Sequence, residues 1–111
     1  MKNSNSPAFN NTELLAHEKD IEQASRSLKA IAHPLRLKIL CVLSDREVSV
    51  QDIVDSVGTS QSNISQHLAI LRDKEVLGYR KEANKVFYRV ADSRTLKLLA
   101  MMQEIFCPPQ E

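Results

Sequence analysis

Hydrophobic residues recur along this chain at two spacings, and the change between them outlines its elements. From Ser60 to Lys74 the spacing is helical: Ile64, Leu68 and Leu71 recur at i, i+4 and i+7 and form one apolar stripe. Upstream, Val50, Ile53, Val54 and Val57 fall on one side of a shorter helix running from Ser49 to Val57. Gly58-Thr59 separates the two, and the hydroxyl of Ser60 can accept an N–H of the next first turn. Helix, Gly-containing turn and capped helix predict a helix-turn-helix, with 60–74 as the recognition helix. Before it, Leu35, Leu37, Ile39, Leu40, Val42 and Leu43 make 34–44 apolar almost all round, the mark of a central core helix. Pro34 suits its first turn, and His33 is expected to help cap it. The period then shortens to two. Val86, Tyr88 and Val90 alternate with Phe87 and Arg89, and Tyr79-Arg80-Lys81-Glu82 precedes them across Ala83-Asn84-Lys85. This predicts a β-hairpin directly after the recognition helix, the place of a wing. Val48 is expected to add a strand of one or two residues.

The ends of the chain are read the same way. Thr12 is expected to cap a first helix to about Ala32, with a loose seam of Leu14, Leu15, Ile21, Ala24, Leu28 and Ile31. Asp92 is expected to cap a last helix to about Cys107, stopped by Pro108-Pro109. Leu96, Leu98, Leu99, Met101, Met102, Ile105 and Phe106 leave that helix apolar on most sides. A monomer of this size cannot cover such a helix, so the first and last helices are predicted to form a dimer interface. Residues 1–11 read as a disordered tail, 12–107 as one DNA-binding and dimerisation domain, and 108–111 as a short C-terminal tail. The predicted fold is mainly α with a small β-hairpin: a winged helix-turn-helix of five helices and a two-stranded wing, paired as a homodimer.

Composition sharpens this picture in places. At 111 residues and 42% hydrophobic, the chain can bury one modest core, and its formal charge of +1 announces no nucleic acid. The distribution says more. Between positions 61 and 89, Arg72, Lys74, Arg80, Lys81, Lys85 and Arg89 face only Asp73, Glu75 and Glu82. Opposite the apolar stripe of the recognition helix lie Gln61, Ser62, Ser65 and Gln66, with Arg72 near the end of that face. Amides and hydroxyls without an acid suit base edges and phosphates in a major groove. The plainer reading is an amphipathic helix whose outer face happens to be uncharged, although surface helices usually carry Lys and Glu there. In the wing, Arg80, Lys81 and Lys85 can reach phosphates or the minor groove, or simply guard a sheet edge.

No apolar run spans a membrane and no signal-like segment opens the chain, so a soluble, cytoplasmic protein is expected. Two Gly, no phosphate loop, no clustered carboxylates and no nucleophile beside a base leave an enzyme without parts, and no cofactor is expected. Cys41 and Cys107 do not make a secreted disulfide scaffold. Read from the residues alone, they are buried fillers, metal ligands or redox groups.

Four segments carry a resemblance. Ala-His-Pro-Leu-Arg-Leu-Lys-Ile-Leu (32–40), Ser-Gln-Ser-Asn-Ile-Ser-Gln-His-Leu (60–68), Leu-Arg (71–72) and Val-Phe-Tyr-Arg-Val (86–90) resemble the ArsR/SmtB family of bacterial winged-helix repressors, in order and in spacing. The resemblance covers about 12–107. It implies a homodimer that binds a palindromic double-stranded operator and is released by an inducer. By the motif, Gln61, Ser62, Ser65 and Gln66 take the DNA-contacting positions, and the basic wing residues take backbone contacts. The family's arsenic and cadmium sensors carry a Cys-x-Cys pair where this chain has Ser49 and Gln51, so a soft-metal site is not expected there. Its zinc and nickel sensors use Asp and His along the last helix, which here holds Asp92 but no His. His17, His33 and His67 show no ligand spacing, and His67 reads as a packing or phosphate-contact residue.

In placement, Cys41 and Cys107 look like the dithiol of the persulfide- and redox-sensing, BigR-like and HlyU-like branch. The resemblance implies that a disulfide or polysulfide link between them, formed by reactive sulfur or an oxidant, would change how the two recognition helices are spaced. Two alternatives stay open: the same repressor with bystander cysteines and an unknown inducer, or a metal-responsive protein using Cys41, Cys107 and a His.

Overall fold

The computed structural model describes residues 17–107. In chain order these form α1 (Glu18–Ile31), α2 (Pro34–Leu43), β1 (Val48–Ser49), α3 (Val50–Val57), α4 (Gln61–Asp73), β2 (Leu77–Glu82), β3 (Lys85–Val90) and α5 (Ser93–Phe106). This is the predicted winged helix-turn-helix. The expectations for the N-terminal tail, for Thr12, Leu14 and Leu15, and for Pro108-Pro109 fall outside the described residues.

Local chemistry sets the boundaries. Pro34 occupies the first turn of α2, and Nδ1 of His33 accepts the Leu35 N–H at 3.1 Å. Ser49 caps α3 by accepting the Asp52 N–H at 3.1 Å, and Ser60 caps α4 by accepting the Asn63 N–H at the same distance. Between them the chain turns at Gly58, whose φ of 84° lies in the left-handed region. Asp92 caps α5 through the Arg94 N–H at 2.9 Å.

The sheet is antiparallel, in the order β1-β3-β2. The wing therefore has three strands at its root where the hairpin alone predicted two, because β1 pairs with β3 through Val48↔Tyr88 and Ser49↔Phe87. Lys85 belongs to β3, so the turn is reduced to Ala83-Asn84, and Ala83 adopts a left-handed φ of 55°.

The core is filled by Ile39, Leu40 and Leu43 of α2, Ile53 of α3, Ile64, Leu68 and Leu71 of α4, and Tyr88 of β3, with Ala30 and Ile31 from α1. Two expectations need correction. Helix α2 is not buried all round: Leu35, Leu37 and Val42 are only partly covered, because neighbouring elements pack on one side of it. Cys41, read as a possible buried filler, sits on the exposed side. On α5 only Thr95 is buried, and Met101, Ile105 and Phe106 are 51%, 64% and 77% exposed. Among the described residues, no helix is long and apolar enough to cross a membrane.

Candidate nucleic-acid interface

Helix α4 is divided between core and solvent. Ile64, Leu68 and Leu71 are at most 1% exposed, whereas Gln61, Ser62, Ser65 and Gln66 all face solvent. Burying the stripe fixes the rotation of the helix, so the amide-and-hydroxyl face has to point outward. A groove opens between α4 and the wing. Gln61, Ser65 and Arg72 line it from α4 and Asn84 and Lys85 from the wing, and Ser49 and Gln51 at the start of α3 also line it. Among the described residues, Asp52 is the one acid in its lining. Arg72 is held over the Tyr79 ring, 5.3 Å from its centroid, and Tyr79 in turn lies 5.8 Å from Tyr88. The Arg72–Asp73 ion pair, at 3.9 Å with both groups exposed, contributes little.

Strand alternation splits the basic residues of the wing. Tyr88 packs into the core, so its cross-strand neighbour Tyr79, and with it Lys81 and Val86, share the face turned toward the helices. Arg80 lies on the other face. Its guanidinium sits 4.7 Å from the Phe87 centroid, Nε donates to both Glu47 oxygens at 2.9 and 3.0 Å, and Nη1 donates to Glu82 at 3.0 Å. The hydrogen bond from Arg80 holds the Glu47 carboxyl below the usual carboxylate range. Of the three wing cations expected to meet DNA, Arg80 thus has its charge matched within the protein. Lys81 and Lys85 are exposed and, among the described residues, make no ion pair.

His67 is half-buried, its ring 4.5 Å from that of His33 and its Nδ1 3.3 Å from Nη1 of Arg36. Of the two roles open to it from the sequence, packing is the one this geometry fits. Arg36, Glu47 and Tyr79 were not singled out as functional from the sequence. Their partners lie at distant positions, and no periodicity marks them. Ser49 and Gln51, at the positions of the metal-sensing thiolates, serve as a helix cap and as donor to Asp55 at 3.0 Å. Cys41 lies on α2 and Cys107 follows the last turn of α5; both are free thiols and both are exposed. Among the described residues, no group of three or more His, Cys, Asp or Glu is arranged to hold a metal.

Known proteins are similar to this chain in sequence and fold. The chain is 36% identical over 98 residues to the Biofilm growth-associated repressor of Agrobacterium fabrum, covering 88% of this chain and 84% of that one. It is 39% identical over 90 residues to the Transcriptional activator HlyU of Vibrio cholerae, covering 81% and 83%. The structure of reduced HlyU from Vibrio cholerae matches with a TM-score of 0.77 at 38% identity, over 83% of this chain and 97% of that one. The transcriptional repressor BigR from Xylella fastidiosa matches with a TM-score of 0.80 at 26% identity, over 92% and 100%. Residues 33–77, from the cap of α2 to the start of β2, match the family described as "Bacterial regulatory protein, arsR family". The chain belongs to the ArsR family, as a winged-helix, DNA-binding regulator of transcription.

Proposed function

We propose that the protein is a homodimeric repressor whose hold on a palindromic operator is switched by a link between Cys41 and Cys107. Gln61, Ser62, Ser65 and Gln66 read base edges, Arg72 meets the end of the same groove, and Lys81 and Lys85 bind backbone phosphates. Arg80 joins them to the extent that Glu47 and Glu82 release it. The apolar residues left uncovered on α1 and α5, Leu28, Met101, Ile105 and Phe106, supply the dimer interface.

The observation that carries the switch is the exposure of both thiols on two particular elements. Cys41 rides on α2, which packs beneath the reading helix, and Cys107 ends α5, the helix that would set the dimer. An exposed thiol is reachable by reagent. The Cys41 thiolate attacks the sulfane sulfur of an organic persulfide and becomes a persulfide itself, releasing the organic thiol. The Cys107 thiolate then displaces hydrogen sulfide and closes the disulfide. Joining α2 to α5 fixes their relative orientation. Half-sites lie about 34–36 Å apart, so a small rotation misplaces one head. Support also comes from relatives that act as repressors and from HlyU, for which a reduced form has been solved.

The metal-responsive alternative has less support, since Nδ1 of both His33 and His67 already faces an N–H donor. The test uses a duplex selected by the reduced protein from a random library. Glutathione persulfide should lower affinity for it by about 5- to 150-fold, and dithiothreitol should restore it. Cys41→Ser and Cys107→Ser should bind like the reduced protein and ignore the persulfide. Unchanged affinity in the wild type would make both cysteines bystanders.

A further inference from the structure

Three helices meet at Arg36, away from the reading face. Its Nε donates to the carbonyl oxygen of Ala30, in the last turn of α1, and its Nη1 lies 3.3 Å from Nδ1 of His67 on α4. A guanidinium carries only donors, so Nδ1 of His67 has to accept, which fixes the neutral tautomer with its hydrogen on Nε2. His33 is fixed likewise, because its Nδ1 accepts the Leu35 N–H. The two rings pack 4.5 Å apart at an interplanar angle of 38°. Arg36, His33 and His67 are all half-buried.

Among the described residues, the charged and titratable groups acting on His67 are His33 and Arg36, from the α2 side, and neither is an acid. Helix α1 contributes a carbonyl, by way of Arg36. Burial first, and then these two neighbours, push the His67 pKa below the ordinary histidine value.

We propose that Arg36 is a positioning residue for operator binding: acting through neutral His67, it fixes α4 against α1, and protonation of His67 undoes that hold. The inference rests on α4 being the reading helix and is independent of the cysteine switch. A proton on Nδ1 removes the acceptor that Arg36 uses and sets a cation against the Arg36 guanidinium. The two side chains then have to part. The sign follows from the lowered pKa: the latch is whole above the ordinary histidine value and is lost as pH falls through the lower, folded value.

The experiment measures affinity for a duplex selected from a random library by the wild type near pH 7.5, titrated downward at constant salt as far as circular dichroism shows the protein folded. Wild type should lose at least about fivefold over that range. In His67→Gln the amide oxygen can still accept from Arg36 but cannot titrate, so binding near pH 7.5 should be retained within about twofold and the profile should flatten. Arg36→Met should bind at the weak, acidic level throughout. Imidazole nitrogen resonances give a reading that needs no variant: His67 should be the Nε2–H tautomer and titrate below free histidine. A flat wild-type profile, an unaltered profile in His67→Gln, an Nδ1–H tautomer, or affinity that rises on acidification would each overturn the proposal. The last is what a protonated His67 on a phosphate would give. Failure of the wild type to select any duplex would instead fell the reading of α4, and this inference with it.

Discussion

At Gly58 the backbone adopts φ 84°, and a Cβ placed there would meet nothing within 4 Å. Any effect of Gly58→Ala is therefore one of backbone conformation alone, and it should destabilise by about 1–2 kcal/mol in a denaturant melt. Ser60→Ala, which removes the cap of α4, should cost about 1 kcal/mol in the same measurement. Residues of this kind were legible in the sequence because their chemistry is local: a glycine between two helices, a serine before an apolar stripe, an aspartate before the last helix. Arg36 was not legible, since its partners Ala30 and His67 belong to two other helices and only the packing brings them together. Cys41 misled for a related reason. It stands between Leu40 and Val42 in an apolar run, and a run does not say which side of the helix neighbours will cover.

Among elements, the wing shows most clearly what alternation can and cannot say. The period of two identified both strands and placed Val86, Tyr88 and Val90 on one side. It could not show that β1 would bring Glu47 to Arg80, a pairing across 33 positions. That pair takes one cation out of the set available to DNA. Glu47→Gln combined with Glu82→Gln should free it, and the slope of log affinity against log salt should steepen by about 0.9, the increment of one phosphate contact. An unchanged slope would leave Arg80 without a role on DNA. Since the Glu47 pKa is lowered, the attraction of the pair is fully present above the ordinary carboxylate range and fades as pH falls through the folded value. Acid should therefore loosen the Glu47 side of this hold on Arg80. His67 acts in the opposite direction, and His67→Gln separates the two effects.

Across the molecule, the apolar side chains of the described residues divide into a core packed together and a surface left bare among them. The core joins α2, α3, α4 and the sheet; the bare surface carries Leu28, Met101, Ile105 and Phe106. The apolar excess of α5 was legible in the sequence, but how little of it the other described residues bury depends on where α5 leaves the sheet. Replacing Ile105 by Glu would put a charge into the proposed interface. Sedimentation should then show a monomer, with reduced affinity for a duplex carrying two half-sites and unaltered affinity for one half-site. A dimer that survives the substitution would place the interface elsewhere.

Ser49 belongs to two elements at once: it ends β1, paired with Phe87 at the root of the wing, and its hydroxyl caps α3. No spacer residue separates them. A pull on Lys85 at the far end of β3 is therefore transmitted along the hairpin to the first amides of α3, without a hinge to absorb it. Engagement of the backbone by the wing and seating of the helix pair should accordingly be one event, with the hairpin serving as its lever arm.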